Sequence, residues 1–593
     1  MLDRLLYIVL GLCGVLVLAF ALYFCQFGLD YTDESFYIHW ITDPSAWSIH
    51  VPLTFFGFVY HPFFVLLDGD IVLLRQLNVL FIFVLAGFFS YGTMRMHLNF
   101  PRRIAASFAL ALAATALACF RIWAVSPSYN TLAFEGLMIA LTGLVLSASP
   151  HRRIIWSAWT LVAIGGWLAF MGKPTTAALL GPAVLAYLYI LKIREWGYAG
   201  YAAALAGILT AGSLLAIDHG SIRGVITRIS DSLEAVRLLG SGQTIRSVIR
   251  IDWPDLSLID WGMVALGCAI VAAFAQMAVR HAKPWVQDVF CLLIVVTGAV
   301  FLFTGLRPFD FDGVEQIGFV LAALGACLWL KRTGTQIIWR RNLLALAAVL
   351  FFAPYFYAFG TNGNYWDAGG EVCFFWGLAA IVLMWPAAQT QAGIRVMLPL
   401  MCLALFFGMA QLNKGLMEPF RQPEPLRTMT APVPVAGSFI IKAKGFADYD
   451  QALRDITGAG GFLPGMPLID LTGRSPGVLY DLKAKALGQP WMVGRYEGSN
   501  EFAVFVLERE SCADIAKAWL LAEPDGPRHL NGAMVMAAFG ADINRDYAKT
   551  KDIRTPEGAG GYTETYTQYF LKPTRPFDKA VSACEKARGQ KQE

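Results

Sequence analysis

Long apolar segments recur along this chain and constrain its fold more than any other feature. Each is about 20 residues long, enough to cross the hydrocarbon layer of a bilayer as a helix. Only helices and closed barrels satisfy their backbone hydrogen bonds inside lipid. We therefore predict a polytopic α-helical membrane protein with about 13 spans, placed at 5–25, 71–94, 104–120, 131–148, 154–171, 175–193, 198–217, 259–279, 286–305, 313–330, 342–359, 370–387 and 395–412.

The composition agrees with this prediction and narrows the partners. Hydrophobic residues make up 56% of the chain and charged residues 15%, against about 25% charged residues in an average soluble domain. The net charge is only +4 and is dispersed along the chain. This charge gives no support for a nucleic-acid partner and leaves membrane lipids as the expected surroundings.

The distribution of lysine and arginine predicts the orientation of the spans. Basic residues gather in alternate connections, and such connections stay in the cytoplasm. The opposite loop, 26–70, contains no lysine or arginine. We therefore predict a cytoplasmic N-terminus and an external loop 26–70. The basic connections contain Arg95, Arg102, Arg103, Arg152, Arg153, Lys192, Arg194, Arg280, Lys283, Lys331, Arg332, Arg340 and Arg341.

The apolar segment 51–67 within this loop resembles one more span. Pro52 and the His61-Pro62 pair interrupt it, and counting it would move every later basic cluster outside. We predict a pair of helices that lie at the membrane surface. A true span is the alternative.

From residue 413 onward the composition changes, with more charge, proline and glycine. We assign 1–412 to a membrane domain and 413–593 to an external domain, which is long enough to bury its own core. Strand-like runs at 438–441, 467–471 and 502–507 alternate with helical runs at 449–456 and 513–521, which predicts a small α/β domain. Its two cysteines, Cys512 and Cys584, predict a disulfide in an oxidising compartment.

The residues that suggest chemistry directly follow the first span. The run Asp30-Tyr-Thr-Asp-Glu-Ser-Phe-Tyr-Ile-His-Trp40 places Asp33 beside Glu34 among aromatic residues. Acidic groups are costly beside lipid, and a carboxylate there suits a reaction between a lipid-linked donor and a hydroxyl acceptor. For Asp33 the alternative is a helix cap shared with Thr32. For Glu34 it is a first-turn residue that opposes the helix dipole.

This acidic pair belongs to a larger pattern. It includes the stretch from Pro52-Leu-Thr-Phe-Phe to Arg75 at the opening of the second span, the number of spans and the external C-terminal domain. The pattern resembles the GT-C glycosyltransferases, and in layout it is similar to the protein O-mannosyltransferases and the lipid A aminoarabinose transferases. The resemblance is strongest over residues 1–100. It implies that Asp33 is the catalytic base and that the donor is a sugar on a polyprenyl (undecaprenyl) phosphate.

Such a transferase needs a base for the acceptor hydroxyl and cations for the departing lipid phosphate. Asp33 suits the first role, and Glu34 suits orientation of the acceptor or binding of a metal. The phosphate candidates are basic residues near the external face: Arg75, Lys173 in Met171-Gly-Lys-Pro-Thr-Thr176, and Arg307 in Thr304-Gly-Leu-Arg-Pro308. For Lys173 and Arg307 the alternative is a side chain that simply extends to the interface.

Two external turns combine asparagine with aromatic residues. They are Ser126-Pro-Ser-Tyr-Asn130 and Gly360-Thr-Asn-Gly-Asn-Tyr-Trp-Asp367. These side chains bind sugars by stacking and hydrogen bonding, although interfacial aromatic belts contain the same types. We predict sugar or lipid contacts for Tyr129, Asn130, Asn364, Tyr365 and Trp366.

Two further segments carry expectations of their own. The loop 218–258 has apolar residues at helical spacing among basic ones, which predicts an amphipathic helix on the membrane. Asp470-Leu-Thr-Gly-Arg-Ser-Pro-Gly477 lies between a strand and a helix, where an anion-binding loop forms. The arginines of loop 218–258 are Arg223, Arg228, Arg237, Arg246 and Arg250.

The leading hypothesis is an inverting glycosyltransferase at the periplasmic face of a bacterial inner membrane. Its acceptor would be an envelope glycan or glycolipid of the lipopolysaccharide or O-antigen class. A protein O-glycosyltransferase and an O-antigen polymerase or ligase are alternatives within the class, and a lipid-linked sugar transporter or flippase and a scaffold are alternatives outside it. A transporter predicts internal repeats, which the sequence lacks. No cofactor is required by the pattern, and a divalent cation between Glu34 and the phosphate stays open.

Overall fold

The computed structural model describes residues 2–51, 53–192, 196–240, 248–308, 310–435 and 437–589, with side chains from residue 5 onward. Pro52, Arg194 and Arg246, named above, lie outside these ranges. Within the ranges, twelve helices are long and apolar enough to cross a membrane, and a bent pair adds one more if it is a single crossing. The predicted fold class, a polytopic helical membrane protein with a C-terminal α/β domain, is confirmed.

The membrane part of the chain is helical throughout. The bent pair consists of Tyr365–Val372 and Phe374–Ala388, between which the chain turns by 78°. In chain order the helices are α1 (Leu2–Phe24), α2 (Asp33–Thr42), α3 (Phe56–Leu66), α4 (Ile71–Met96), α5 (Arg102–Ala116), α6 (Tyr129–Leu146), α7 (Arg152–Gly172), α8 (Pro174–Leu191), α9 (Trp196–Ile217), α10 (Ile222–Leu239), α11 (Leu258–Val279), α12 (Pro284–Thr304), α13 (Ile317–Arg332), α14 (Arg341–Ala358), α15 (Tyr365–Gly369), α16 (Phe374–Ala388) and α17 (Leu398–Met417).

The connections between these helices meet at two opposite ends of the bundle. At one end, loop 26–70 contacts the turns that follow α5 and α7, through the pairs Glu34–Ser126 and Thr54–Gly172. The turn after α5 contacts the turn after α12 through Arg121 and Asp312. At the other end, contacts join the basic connections, and the pairs include His97–Val145, Thr333–Gln276 and Arg395–Asp288. The basic connections therefore lie at one end of the bundle, and loop 26–70 lies at the other.

Loop 26–70 is built differently from its prediction. In place of a pair of surface helices at 51–67, a single helix α3 runs through the His61-Pro62 pair with Pro62 inside it. A proline within a helix removes one backbone hydrogen bond without always ending the helix. The helix packs closely on α2, because a Cβ added at Gly57 would meet the Trp40 carbonyl oxygen at 2.2 Å. Residues 34–41 of α2 are buried, so α2 does not lie on a surface.

The C-terminal domain starts with a hairpin and continues as a mixed sheet with helices. The sheet order is β4-β3-β5-β7-β6, with β3 parallel to β4 and β5, and β7 antiparallel to β5 and β6. The elements are β1 (Ala431–Val435), β2 (Ser438–Lys442), α18 (Lys444–Gly460), β3 (Pro467–Asp470), α19 (Pro476–Asp481), β4 (Lys485–Ala486), α20 (Ser499–Leu507), α21 (Cys512–Lys517), β5 (Trp519–Ala522), α22 (Gly532–Ala537), α23 (Ile543–Asp546), β6 (Tyr547–Arg554), β7 (Thr567–Pro573) and α24 (Phe577–Gly589).

Two local predictions in this domain are wrong. The run 502–507, expected as a strand, belongs to helix α20. Its buried residues Phe502, Ala503, Val506 and Leu507 follow a helical period, so a single face meets the core. The run 513–521, expected as a helix, divides into α21 and the central strand β5.

Cys512 and Cys584 form a disulfide that joins α21 to α24. Both are buried in the core of the domain. The bond closes a loop of 72 residues in sequence separation, which restricts the unfolded chain of this domain and so favours the folded state.

Helix α10 is the amphipathic helix expected in loop 218–258. Ala235 and Leu239 are buried in the same core as Phe502 of the C-terminal domain. Ile222 and Ile226 are exposed. One side of α10 therefore supports the C-terminal domain, and the exposed apolar side is the one available to a membrane surface.

Candidate active site

Asp33 is the first residue of α2, and its carboxylate reaches out of the loop. The residue before the helix, Thr32, makes no side-chain cap to the helix. The carboxylate of Asp33 instead lies 2.6 Å from the guanidinium of Arg421. Its side chain is 30% exposed, whereas the side chain of the adjacent Glu34 is 2% exposed. Asp33 is thus the accessible member of the acidic pair.

Arg421 comes from the segment between α17 and β1, at the junction of the two domains. Its guanidinium also donates to the hydroxyl of Thr32, and its backbone has φ of 52°, a region that is unfavourable for a side chain with a Cβ. Arg421 is not among the sequence-predicted cations, because those lie at the starts of spans or in the turns between them. Its position just after the last span is the one sequence signal that points to it.

Glu34 forms a second ion pair beneath the first. Its carboxylate lies 2.8 Å from the guanidinium of Arg75, which is fully buried. Arg75 also donates to the carbonyl oxygens of Cys25 and Gly28, at 3.0 and 2.9 Å, and to the hydroxyl of Ser126 at 3.1 Å. These contacts fasten loop 26–70 to α4. This geometry does not support the predicted phosphate contact of Arg75, since the buried guanidinium is bonded to the protein itself.

Asp30 completes the acidic group at this junction. It is buried, and it accepts hydrogen bonds from the Thr32 hydroxyl at 2.7 and 2.8 Å. Burial and the nearby charge of Asp33 raise the pKa of Asp30 to about 7. Burial also raises the pKa of Asp33, while Arg421 and Arg528 act in the opposite direction. Two carboxyl groups with raised pKa values close together are typical of acid–base sites.

The C-terminal domain contributes the wall opposite α2. Arg528 donates to the hydroxyl of Tyr562 at 3.1 Å and is close enough to lower the pKa of Asp33. Arg474 is buried and bonds in a bidentate way to Glu523, at 2.8 and 2.9 Å. Asp33 therefore lies between the membrane helices and a basic wall of the outer domain.

Two of the predicted site residues, Lys173 and Asn130, are in direct contact. The ammonium group of Lys173 donates to the Tyr357 carbonyl at 2.7 Å and to the Asn130 side chain at 3.3 Å. Burial lowers the pKa of Lys173 to about 8, and the charge of Glu371 opposes that shift. Glu371, which the sequence analysis did not single out, accepts from the Tyr357 hydroxyl at 2.7 Å.

Tyr129 connects this lysine cluster to the acidic pair. Its ring lies 5.6 Å from the ring of Tyr37 on α2, and it precedes Asn130 at the start of α6. Three of the predicted residues, Lys173, Tyr129 and Asn130, thus line one polar region that extends from Asp33.

Arg307 lies in a separate charged network. It pairs with Asp310 at 2.9 Å and with Glu418 at 2.5 Å, and Lys414 also pairs with Asp310 at 2.8 Å. The network ties the turn after α12 to the end of α17. Arg307 is therefore balanced by two carboxylates, which reduces its availability to a phosphate.

The second aromatic turn has a structural role in this conformation. The backbone of Tyr365 and the indole of Trp366 both donate to Asp252, at 2.9 and 2.8 Å. The side chain of Asn364 donates to the Trp253 carbonyl at 2.8 Å. These residues hold the segment before α11 against the start of α15, and the contacts do not place them with Asp33.

The loop that follows β3 is not an open anion site. The carboxylate of Asp470 accepts from Thr472 and from the backbone of Ser475 at 3.0 Å. The donors that would surround an anion are therefore used by the loop's own carboxylate. The expectation of an anion-binding loop at 470–477 is wrong for this reason.

Among the residues that the structure describes, no group of three or more histidine, cysteine, aspartate or glutamate side chains is placed to hold a metal ion. The role of Glu34 as a metal ligand therefore has no geometric support, since its carboxylate is paired with Arg75.

No protein-family model matches the chain, and no curated protein sequence matches it significantly. Among solved structures, it is similar to two crystal structures of ArnT from Cupriavidus metallidurans, one bound to undecaprenyl phosphate and one in the apo state. The first covers 95% of this chain and 98% of that one at 14% identity, with a TM-score of 0.44. The second covers 96% and 98% at 14% identity, with a TM-score of 0.40. ArnT is a lipid A aminoarabinose transferase, and this identity is too low to transfer the role of any residue.

Proposed function

We propose that this chain is an inverting glycosyltransferase that uses a polyprenyl-phosphate-linked sugar as donor and a hydroxyl of an envelope glycan or glycolipid as acceptor. The observation that carries the proposal is the position of Asp33. It is an accessible carboxylate with a raised pKa, held at the junction of a membrane helix bundle and an outer domain. A lipid-linked donor would reach this junction from the bilayer, and a glycan acceptor would reach it from the aqueous side.

The proposed step uses Asp33 as general base. The acceptor oxygen attacks the anomeric carbon on the face opposite the phosphate, and its proton passes to a carboxylate oxygen of Asp33. The new glycosidic bond forms as the bond between the anomeric carbon and the phosphate oxygen breaks, and the lipid phosphate leaves with the electron pair. A base of this kind contributes roughly 10²–10⁴-fold to a rate. The raised pKa of Asp33 makes it a better proton acceptor than an ordinary carboxylate.

We propose Lys173 as the cation nearest to the phosphate. Its ammonium group bonds to two neutral oxygens, whereas Arg75 and Arg307 are paired with carboxylates. A cation whose partners are neutral keeps more of its field for a developing negative charge. Tyr129 and Asn130, beside it, are the proposed contacts to the sugar or the lipid.

The proposed location is the periplasmic face of a bacterial inner membrane, with the C-terminal domain in the periplasm. The alternation of basic connections supports this orientation. The disulfide between Cys512 and Cys584 supports an oxidising compartment for the outer domain.

The test is mass spectrometry of surface glycans and lipid A from cells that carry the wild-type chain, Asp33→Asn or no chain, at equal membrane abundance. Asp43→Asn is the matched control, because Asp43 is an exposed carboxylate of the same loop that caps a short helical turn. We expect Asp33→Asn to lose one sugar, as the deletion does, and to accumulate its lipid-phosphate donor. We expect Asp43→Asn to keep the sugar.

Two results would contradict the proposal. If deletion removes a sugar and Asp33→Asn retains it, Asp33 is not the base. If deletion changes no glycan and instead leaves a lipid-linked sugar on the wrong side of the membrane, the chain is a flippase.

A further inference from the structure

Tyr31, two residues before Asp33, leaves the membrane domain and inserts into the outer domain. Its hydroxyl bonds to the carboxylate of Asp450 and accepts a hydrogen bond from the ammonium group of Lys442 at 3.0 Å. Lys442 and Asp450 also pair with each other at 2.8 Å, and both side chains are 1% exposed. A buried network in which every member has a partner holds its parts in a single arrangement.

The outer domain forms a closely fitting seat around this tyrosine. The backbone N–H of Gly477 donates to the Tyr31 carbonyl at 2.8 Å. A Cβ at position 477 would meet the Tyr31 ring at 2.4 Å, so only glycine allows this approach. The Tyr31 ring also packs against Phe446 of α18, with centroids 5.3 Å apart.

The residues before Tyr31 are joined to the outer domain as well. The backbone N–H of Gly28 donates to the Ile441 carbonyl at 2.9 Å, and the N–H of Ile441 donates to the Gln26 carbonyl at 2.8 Å. The first loop thus continues as a short bridge beside β2. The chain is therefore bonded to the outer domain at Gln26, Gly28 and Tyr31, although Arg75 of α4 also holds the Gly28 carbonyl.

On the other side of Asp33, the chain is fixed to the membrane domain. Glu34, the next residue, forms the buried ion pair with Arg75 of α4. Asp33 therefore lies between two buried anchors that belong to different domains, Tyr31 at two residues before it and Glu34 at one residue after it. Any shift of one domain against the other must move the backbone between these anchors.

We propose that Tyr31 is a positioning residue for Asp33, and that the outer domain acts through it as a working part of the active site. This inference rests on the proposed function, in which Asp33 is the base. The seat of Tyr31 fixes the direction of the Asp33 carboxylate toward the acceptor. A misplacement of a catalytic group by about 1 Å can cost roughly 10²-fold in rate.

The test compares Tyr31→Phe with Tyr449→Phe in the full-length protein in membranes. Tyr449 is the matched control because its buried hydroxyl bonds to Gln568 within the outer domain, while its ring contact with Tyr31 is kept by the substitution. Each variant removes a single buried hydroxyl and keeps the ring. The donor is an extract of the cell's own polyprenyl-phosphate-linked sugars, and the acceptor is glycolipid extracted from cells that lack the chain.

We expect a similar loss of thermal stability for both variants, but different kinetics. In Tyr31→Phe, kcat should fall at least about tenfold while the apparent KM for the donor extract stays within about twofold, because Asp33 is misdirected and donor contacts remain. In Tyr449→Phe, both constants should stay near wild type.

Equal kcat in the two variants, with the wild type active, would overturn the positioning role and leave the proposed function intact. A rise in donor KM with unchanged kcat in Tyr31→Phe would also overturn it, because Tyr31 would then act on binding. Absence of transfer by the wild type and by Tyr449→Phe would instead contradict the proposed function.

Discussion

Asp33 and Glu34 are neighbours in sequence and have opposite surroundings. Glu34 faces the bundle, where Arg75 and a backbone N–H occupy its oxygens. Asp33 faces the domain junction, where its partner Arg421 is itself partly exposed. The Glu34 carboxylate therefore holds the loop, and the Asp33 carboxylate is the more accessible of the two. Successive helix residues point about 100° apart, so two adjacent residues of α2 can face the bundle and the domain junction respectively.

The two ion pairs at this junction also differ in how they respond to a loss or a displacement of one partner. A buried pair gains little net energy over well-packed apolar residues, but removal of one partner leaves an uncompensated charge. The Glu34–Arg75 pair thus makes the loop intolerant of displacement. The Asp33–Arg421 pair is closer to water, and the proposed function requires it to open when an acceptor binds.

The largest expected effect is on catalysis by Asp33→Asn. We expect kcat to fall roughly 10²–10⁴-fold, because the amide cannot take the acceptor proton. Membrane abundance and thermal stability should stay near wild type, since Asp33 belongs neither to the buried Glu34–Arg75 pair nor to the buried network around Tyr31. Radiolabelled sugar transfer in membranes measures the first, and detergent-solubilised thermal unfolding measures the second. A folded Asp33→Asn protein with wild-type turnover would remove the distinction between the two carboxylates.

The next effect is on stability, from Arg75→Met. Loss of one partner of a buried ion pair costs about 3–5 kcal/mol, since the buried Glu34 carboxylate would lose its cationic partner. We expect a large drop in the unfolding temperature and in the yield of folded protein. Arg307→Met is the control, because its partner carboxylates are more than half exposed and such pairs are worth about 0–1 kcal/mol. Equal stability of the two variants would contradict a structural role for Arg75.

A smaller effect is expected on the pH profile of Arg421→Gln. The guanidinium lowers the pKa of Asp33, which burial raises. Its removal should raise that pKa further, because the nearby positive charge that favours the carboxylate is lost. Because a base works only when deprotonated, activity is lost as pH falls through this pKa, and the acid limb of kcat/KM should move to higher pH. Arg421→Lys keeps the charge and should leave the limb near its wild-type place. An unchanged limb in Arg421→Gln would show that Arg421 does not act on the titrating group.

The smallest effect is expected from Trp366→Phe. The substitution removes the hydrogen bond from the indole to the Asp252 carbonyl, at a net cost of about 1 kcal/mol. Transfer activity should stay within about twofold of wild type, since the contacts of the indole are with Asp252 and with nearby rings, among them those of Tyr355 and Trp376. A drop in sugar transfer without a drop in stability would restore the predicted sugar contact at this turn.

The spans were predictable because each requirement is local. A run of about 20 apolar residues must be a helix in lipid whatever its neighbours are. The single span predicted at 370–387 falls on the bent pair, Tyr365–Val372 and Phe374–Ala388, and covers mainly its second helix. In the outer domain, short runs such as 502–507 suited either a helix or a strand, and contacts with the core decided between them.

The candidate site was predictable only in part. Asp33 and Glu34 stood out, because acidic residues beside a span need a reason. Lys173 and Asn130 were named separately, and the sequence could not show that they touch. Arg421 and Tyr31 were missed because their partners lie 388 and 419 residues away along the chain.

The sequence by itself determined that this chain is a membrane helix bundle with a C-terminal α/β domain and an acidic pair after its first span. Hydrophobic length and the cost of charge near lipid act on each segment independently, so they can be read without the fold. Only the tertiary structure decided which carboxylate is accessible, which arginine pairs with it and which domain holds the loop. These choices depend on directions of side chains and on contacts between distant segments, and no local pattern specifies them.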